Sequence, residues 1–175
     1  LFILRPMDVT AMVEDARRRK LLVRSGGAAP RYAPAYDLDG LVDVLLKQGA
    51  YQEAADACRE LLRFKPDAPE VHLNLGNALQ EQGQLEEAMR CYREALRLQP
   101  GYPEAHNNLA NVLSRLGRLE EALPIYQEAL RLRPDYAMAH NNLGNALARL
   151  RRFDEAIASH RQALRLNPDY PHAHN

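Results

Sequence analysis

The sequence predicts an all-α fold, a linear array of amphipathic helix pairs, and three observations predict it. Pro66, Pro100, Pro134 and Pro168 stand 34 residues apart. Apolar and small residues between them recur in the same phase, and a fixed period of this size marks a stacked repeat architecture rather than a globule around one enclosed site. Within each period two stretches carry apolar residues at helical spacing, separated by glycine and proline.

Aligned on the prolines, the units run 35–68, 69–102, 103–136 and 137–170, and a fifth starts at 171–175. The first helix of each unit is written by Leu41, Leu75, Leu109 and Leu143 at repeat position 7, and by Leu45, Leu79, Leu113 and Leu147 at position 11. Gly49, Gly83 and Gly117 follow it, where a left-handed cap residue is wanted. Glu86, Glu87, Glu120, Glu121, Asp154 and Glu155 open the second helix, where the dipole favours anions, and Arg97, Arg131 and Arg165 close it. Ala54, Ala88, Ala122 and Ala156 at position 20 give that helix a small inner face. Leu61, Ala95, Ala129 and Ala163 at position 27 continue it, and Phe64, Leu98, Leu132 and Leu166 form an apolar column at position 30. The proline column ends the helix, because the residue before proline is pushed out of the helical region. Pro69, Pro103 and Pro171 begin the next one, where a missing N–H costs little.

Gly76, Ala110 and Gly144 at position 8 are expected where two helices approach closely. The first unit departs from this, with Val42 and Leu61 where the others carry small residues. Arg151 replaces the cap glycine, a cost of about 1 kcal/mol if the backbone there is left-handed. Pro124 lies inside a second helix and predicts a local kink.

The stretches NLGNALQEQGQLEEAMRCYREALRLQP (74–100) and NNLGNALARLRRFDEAIASHRQALRLNP (141–168) resemble the tetratricopeptide repeat family, and the resemblance extends over residues 35–175. It implies antiparallel helix pairs coiled into a right-handed α-α superhelix, a solenoid with a concave groove. The repeats are also similar to those in the substrate arm of protein O-linked N-acetylglucosamine transferases.

Formal net charge is zero, yet residues 1–34 carry net +4 and residues 35–175 net −4. An acidic array excludes nucleic acid as the expected partner, since that wants a basic stripe. No apolar run approaches the length of a membrane span. LFILRP at the start is too short for a signal core. Cys58 and Cys91 fit no metal spacing and no disulfide framework; Cys58 falls in the apolar column at position 24 and reads as a buried inert thiol. A cytoplasmic location is compatible with this cysteine usage.

Residues 1–34 do not follow the period. A helix over 8–24, with Val9, Met12, Val13 and Ala16 on one face, is expected to cap the first repeat or to act as a docking arm, and Gly26, Gly27, Pro30 and Pro34 make a linker. PHAHN (171–175) restarts the motif PEAHN (103–107). The last complete unit is therefore expected to leave its apolar face open, as in a fragment of a longer protein.

Asparagines are the strongest functional candidates. Asn74, Asn108 and Asn142 occupy position 6, and Asn77, Asn111 and Asn145 occupy position 9, three residues apart and so on one helix face. Asn107 and Asn141 at position 5 are expected to widen the strip, and Asn175 to continue it. By the family resemblance this face lines the groove. A primary amide offers both donor and acceptor, so a row can grip the backbone of an extended peptide whatever its side chains are. The competing reading is that these amides satisfy neighbouring helix ends.

His72, His106, His140 and His174 form a column at position 4. Metal ligands must lie about 2 Å from one ion, whereas equivalent positions on neighbouring helices are about 8–10 Å apart. No metal site is expected, and each ring is read as packed between the helices of its own unit. Tyr102, Tyr136 and Tyr170 are expected to pack in the turns between units. Groove positions 2, 5 and 6 carry Glu70, Leu73, Asn74, Glu104, Asn107, Asn108, Met138, Asn141 and Asn142, none basic, which argues against a clamp for a C-terminal carboxylate. No nucleophile–base pair, phosphate loop or paired carboxylate set is legible. The chain is accordingly read as no enzyme, with no catalytic residue and no cofactor. Three functional readings follow. The first is a scaffold binding an extended protein or peptide segment in an asparagine-lined groove. The second is the substrate-recognition arm of an O-linked N-acetylglucosamine transferase-like enzyme. The third is self-association through residues 1–34 or the open C-terminal end.

Overall fold

The computed structural model describes residues 38–168, which form eight α-helices and no strand. They are α1 (Leu38–Lys47), α2 (Tyr51–Phe64), α3 (Pro69–Glu81), α4 (Leu85–Leu98), α5 (Pro103–Arg115), α6 (Leu119–Leu132), α7 (Ala137–Arg149) and α8 (Phe153–Leu166). The all-α helical solenoid read from the sequence is the observed architecture. The expected helix over 8–24, the linker and the fifth unit at 171–175 lie outside the described residues.

Helix ends follow backbone chemistry. Gly49, Gly83 and Gly117 adopt φ of 71°, 77° and 79° after α1, α3 and α5. Each sits in a Schellman turn: Gly83 N–H donates to Gln80 O at 3.0 Å and Gln84 N–H to Leu79 O at 2.9 Å. Arg151 takes the same place after α7 with φ 61°, the left-handed conformation that a side chain resists. At the other turn, Lys65, Gln99, Arg133 and Asn167 have φ between −129° and −144°, extended as the following proline requires. None of the helices α2–α8 has a side-chain N-cap, so proline at N1 in α3 and α5 and acidic first turns in α4, α6 and α8 stand in for one. α6 runs through Pro124 as one helix.

Each helix packs on the one before and the one after it. First helices also touch one another in succession, α1 on α3, α3 on α5 and α5 on α7, whereas no two second helices do. An array curved with its first helices inside has this pattern, because the inner arc is the shorter one. The face carrying the asparagines is thus the inner wall.

The core is a thin continuous layer. Leu41, Leu75, Leu109 and Leu143 are buried along it, as are Leu45, Leu79, Leu113 and Leu147. The position-20 and position-27 residues are buried too, and Cys58 is fully enclosed. Burying each leucine stabilises by roughly 1.5–3 kcal/mol. The apolar column at position 30 lies at the rim: Phe64 is 61% and Leu166 37% exposed, and Leu98 and Leu132 are half-buried, because this position falls in the last turn of the second helix.

The close approach expected at position 8 has a different cause from the one read from sequence. A Cβ on Gly76 would lie 2.5 Å from Cε1 of Tyr92, and one on Gly144 would lie 2.7 Å from Cε1 of His160. These glycines make room for the ring at position 24, not for a second helix backbone. The first unit inverts the sizes, with Val42 at position 8 and Cys58 at position 24, both buried.

The position-21 residues Ala55, Met89 and Leu123 are buried, whereas Ile157 and Phe153 on α8 are 48% and 60% exposed. Among the described residues no helix is long and apolar enough to cross a membrane.

Candidate functional site

Five of the eight candidate asparagines are bound to the protein itself. Asn142 Nδ2 donates to Asn107 Oδ1 at 3.1 Å, Asn107 Nδ2 to Asn108 Oδ1 at 3.0 Å, and Asn108 Nδ2 to Asn77 Oδ1 at 2.8 Å. The Tyr92 hydroxyl closes this chain, donating to Asn77 Oδ1 at 2.9 Å. Asn141 Oδ1 is 3.2 Å from Nδ1 of His160. The amides therefore form a head-to-tail line across α3, α5 and α7 that ties three units together. Asn107 and Asn141 are 1% and 4% exposed, so position 5 does not widen an open strip as expected; Asn107 meets Asn142 of the next unit, and Asn141 meets His160 of its own.

The line does not repeat strictly. Position 5 of α3 is Leu73, which offers no amide, so Asn108 reaches back to Asn77. Position 5 of α5 is Asn107, and Asn142 takes it in preference to Asn111. Asn74, Asn111 and Asn145 are left with no hydrogen bond to the protein among the described residues. Asn74 and Asn111 are half-buried and Asn145 is exposed.

These three amides line two cavities of the inner wall. The first, about 310 Å³, is walled by Asn74 with Asp43, Glu70 and Tyr102 over an apolar floor that includes Val42 and Cys58. It lies where the small Cys58 replaces the ring found at position 24 in the later units. The second, about 110 Å³, is walled by Asn111, Asn142 and Asn145 with Ser114, Tyr126, Arg115 and Arg149. Sequence reading passed over the last two residues, although both stand at position 13 and the spacing could have found them.

Burial pushes the Tyr92 phenol far above its ordinary value, and pushes that of Tyr126 up to about 12. Both hydroxyls stay protonated and can donate. Burial also lowers the His160 imidazole and raises the Cys91 thiol. Tyr102 walls the first cavity and does not only fill a turn. Tyr136 carries the Arg133 guanidinium over its ring, 4.9 Å from the centroid.

The histidine column proves to be a latch between units. Nε2–H of His72, His106 and His140 donates to the carbonyl oxygens of Pro66, Pro100 and Pro134, at 2.9, 2.9 and 3.0 Å. Each ring therefore grips the turn that ends the preceding unit and does not sit between the helices of its own. Among the described residues no group of three or more His, Cys, Asp or Glu side chains is placed to hold a metal ion.

Tetratricopeptide repeat models match residues 101–169, 43–83 and 76–117, which together cover both helices of every later unit. The chain belongs to the tetratricopeptide repeat family. No curated protein matches it in sequence. Among solved structures, the tetratricopeptide protein TTC0263 of Thermus thermophilus is similar at 24% identity, with a TM-score of 0.69 over 78% of this chain and 76% of that one. YrrB, described as a tetratricopeptide protein with an unusual peptide-binding site, shares 25% identity, with a TM-score of 0.67 over 78% of this chain and 70% of its own. The first tetratricopeptide domain of Spaghetti (RPAP3), bound to the HSP90 peptide SRMEEVD, shares 28% identity, with a TM-score of 0.60 over 61% of this chain and 85% of its own.

Proposed function

We propose that this chain is a protein-interaction scaffold that holds an extended peptide segment along the inner wall built from α1, α3, α5 and α7. The observation that carries this reading is the state of Asn74, Asn111 and Asn145. They are amides without a protein partner, and each opens into a cavity of that wall. Every amide can donate to a peptide carbonyl and accept from a peptide N–H. The five bonded asparagines hold the wall rigid, which lowers the ordering cost of binding. The peptide-binding site of YrrB and the peptide bound to Spaghetti support a peptide as the ligand.

The test is selection from a random-sequence peptide library, followed by titration of the selected peptides. The triple variant Asn74→Ala/Asn111→Ala/Asn145→Ala is expected to bind about tenfold more weakly, the loss of one or two net hydrogen bonds, with helical content unchanged. A library that yields no binder, or a triple variant that binds as tightly as the parent, removes the reading. The same amide wall suits the substrate-recognition arm of an O-linked N-acetylglucosamine transferase-like enzyme, as the resemblance of the repeats implies. That reading requires a nucleotide-sugar-binding pair of α/β domains on the same polypeptide, which the full-length coding sequence would reveal.

A further inference from the structure

We infer that the cavity between α5 and α7 is a subsite for an acidic side chain, Asp or Glu, of the bound segment; this rests on the groove reading above. Arg115 and Arg149 both wall this cavity, and no acidic residue does. Each guanidinium is held at one corner only. Arg115 Nη1 donates to Gln80 O at 3.3 Å, and Arg149 Nη1 to Ser114 O at 2.6 Å. These are carbonyls near the ends of the preceding first helices, where the dipole favours a cation. A guanidinium has five N–H donors, so each arginine keeps most of its fork free.

Most other arginines are treated differently, although Arg93, Arg151, Arg161 and Arg165 also form no ion pair among the described residues and line neither cavity. Arg59, Arg63, Arg90, Arg97, Arg118, Arg131 and Arg152 each pair with a carboxylate three residues away, and Arg133 pairs with Glu104. Arg115 and Arg149 form no such pair among the described residues. They occupy the same repeat position on adjacent inner helices, so they stand in register across one short stretch of groove. Asn111 and Asn145, the two unbonded amides of this region, share the cavity with them. A peptide backbone gripped by those amides would deliver its side chain to the two guanidinium groups. A carboxylate there accepts charge-assisted, bidentate hydrogen bonds that no neutral side chain can match.

The experiment uses three labelled peptides of about eight residues, acetylated and amidated at their ends, alternating alanine with Glu, Gln or Lys so that one face of the extended chain carries the variable residue. Blocking the ends removes any terminal carboxylate. Net charge alone favours neither charged peptide, since the chain's formal net charge is zero. Local chemistry predicts that the glutamate peptide binds at least about tenfold tighter than the glutamine one. Arg115→Gln/Arg149→Gln is expected to abolish that margin while leaving glutamine-peptide affinity and helical content as they are, and Arg115→Lys/Arg149→Lys to restore part of it. Equal glutamate and glutamine binding, a preference for lysine, or an unchanged margin in the glutamine double variant overturns the subsite. So does failure of all three peptides to bind up to about millimolar concentration. If the random library still yields peptides that depend on Asn74, Asn111 and Asn145, the groove reading survives that result; if the library also fails, both fall.

Discussion

Gly76→Ala separates the observed reason for the small residue at position 8 from the one the sequence suggests. Alanine is the better helix former by about 1 kcal/mol, so at an open helical site this substitution stabilises. At Gly76 the new Cβ would meet Cε1, Cδ1 and Cζ of Tyr92 at 2.5, 2.8 and 3.0 Å. Carbon atoms rest at about 3.5–4.0 Å, so the ring must move by roughly 1 Å. The ring is hemmed in: Tyr92 is fully buried and its hydroxyl is tied to Asn77 and Gln80, whereas Tyr126, which shares its unit with Ala110 at position 8, has only Ser114 near its hydroxyl, at 3.4 Å. Overpacking of this kind costs about 1–3 kcal/mol, and the locked ring places the cost near the upper end. Subtracting the propensity gain leaves a net destabilisation of about 2 kcal/mol. Urea unfolding followed by far-ultraviolet circular dichroism measures it. The double variant Gly76→Ala/Tyr92→Cys copies the size inversion of the first unit, and its cost is expected to be below the sum of the two single costs by about the same 2 kcal/mol. Stabilisation by Gly76→Ala alone, or strict additivity in the cycle, would refute the argument that the ring sets the size at position 8.

Two further outcomes are expected. Arg151→Gly relieves a left-handed backbone with φ 61° and is expected to raise stability by about 1 kcal/mol, read as a higher urea midpoint; a lower midpoint would show that the arginine side chain contributes more than the strain costs. His160 has its imidazole lowered by burial, so its neutral form is favoured in the folded state. The stability it contributes is present above the unfolded value of about 6.5 and is lost as pH falls below it. Hydrogen exchange in α7 and α8 should therefore speed up between about pH 7 and about pH 5.5, and His160→Tyr, the residue type of the two preceding units, should flatten that change; an equal pH response in the variant would place its origin elsewhere.

Much of the architecture was legible because it is local. The glycine after a first helix, the extended residue before each proline and the proline at N1 are each dictated by the backbone of one or two residues, and all behave as their chemistry requires. Even the misfit at Arg151 was legible, since the period says which residue must turn left-handed. The leucine columns at positions 7 and 11 were legible too, because a helical period picks out one buried face.

The site was less so. Periodicity put eight asparagines on or beside one face but treated them alike. Which of them bond to each other depends on ångström-scale separations between helices 34 residues apart in sequence. Leu73 at position 5, against Asn107 one unit later, changes the partner of the next amide and leaves Asn111 free. The histidine latch was missed for a similar reason, since its acceptor is a backbone carbonyl and carbonyls leave no mark in sequence. The exposure of position 30 was not legible either, because an apolar column has a period but no depth.

Taken alone, the order of residues determined a stack of paired helices, their caps and breaks, and the face on which the amides gather, since these follow from steric limits and periods within single units. Packing between units decided which amides remain free, which arginines stay unpaired and where the cavities open, because those depend on how closely neighbouring units approach across the inner wall.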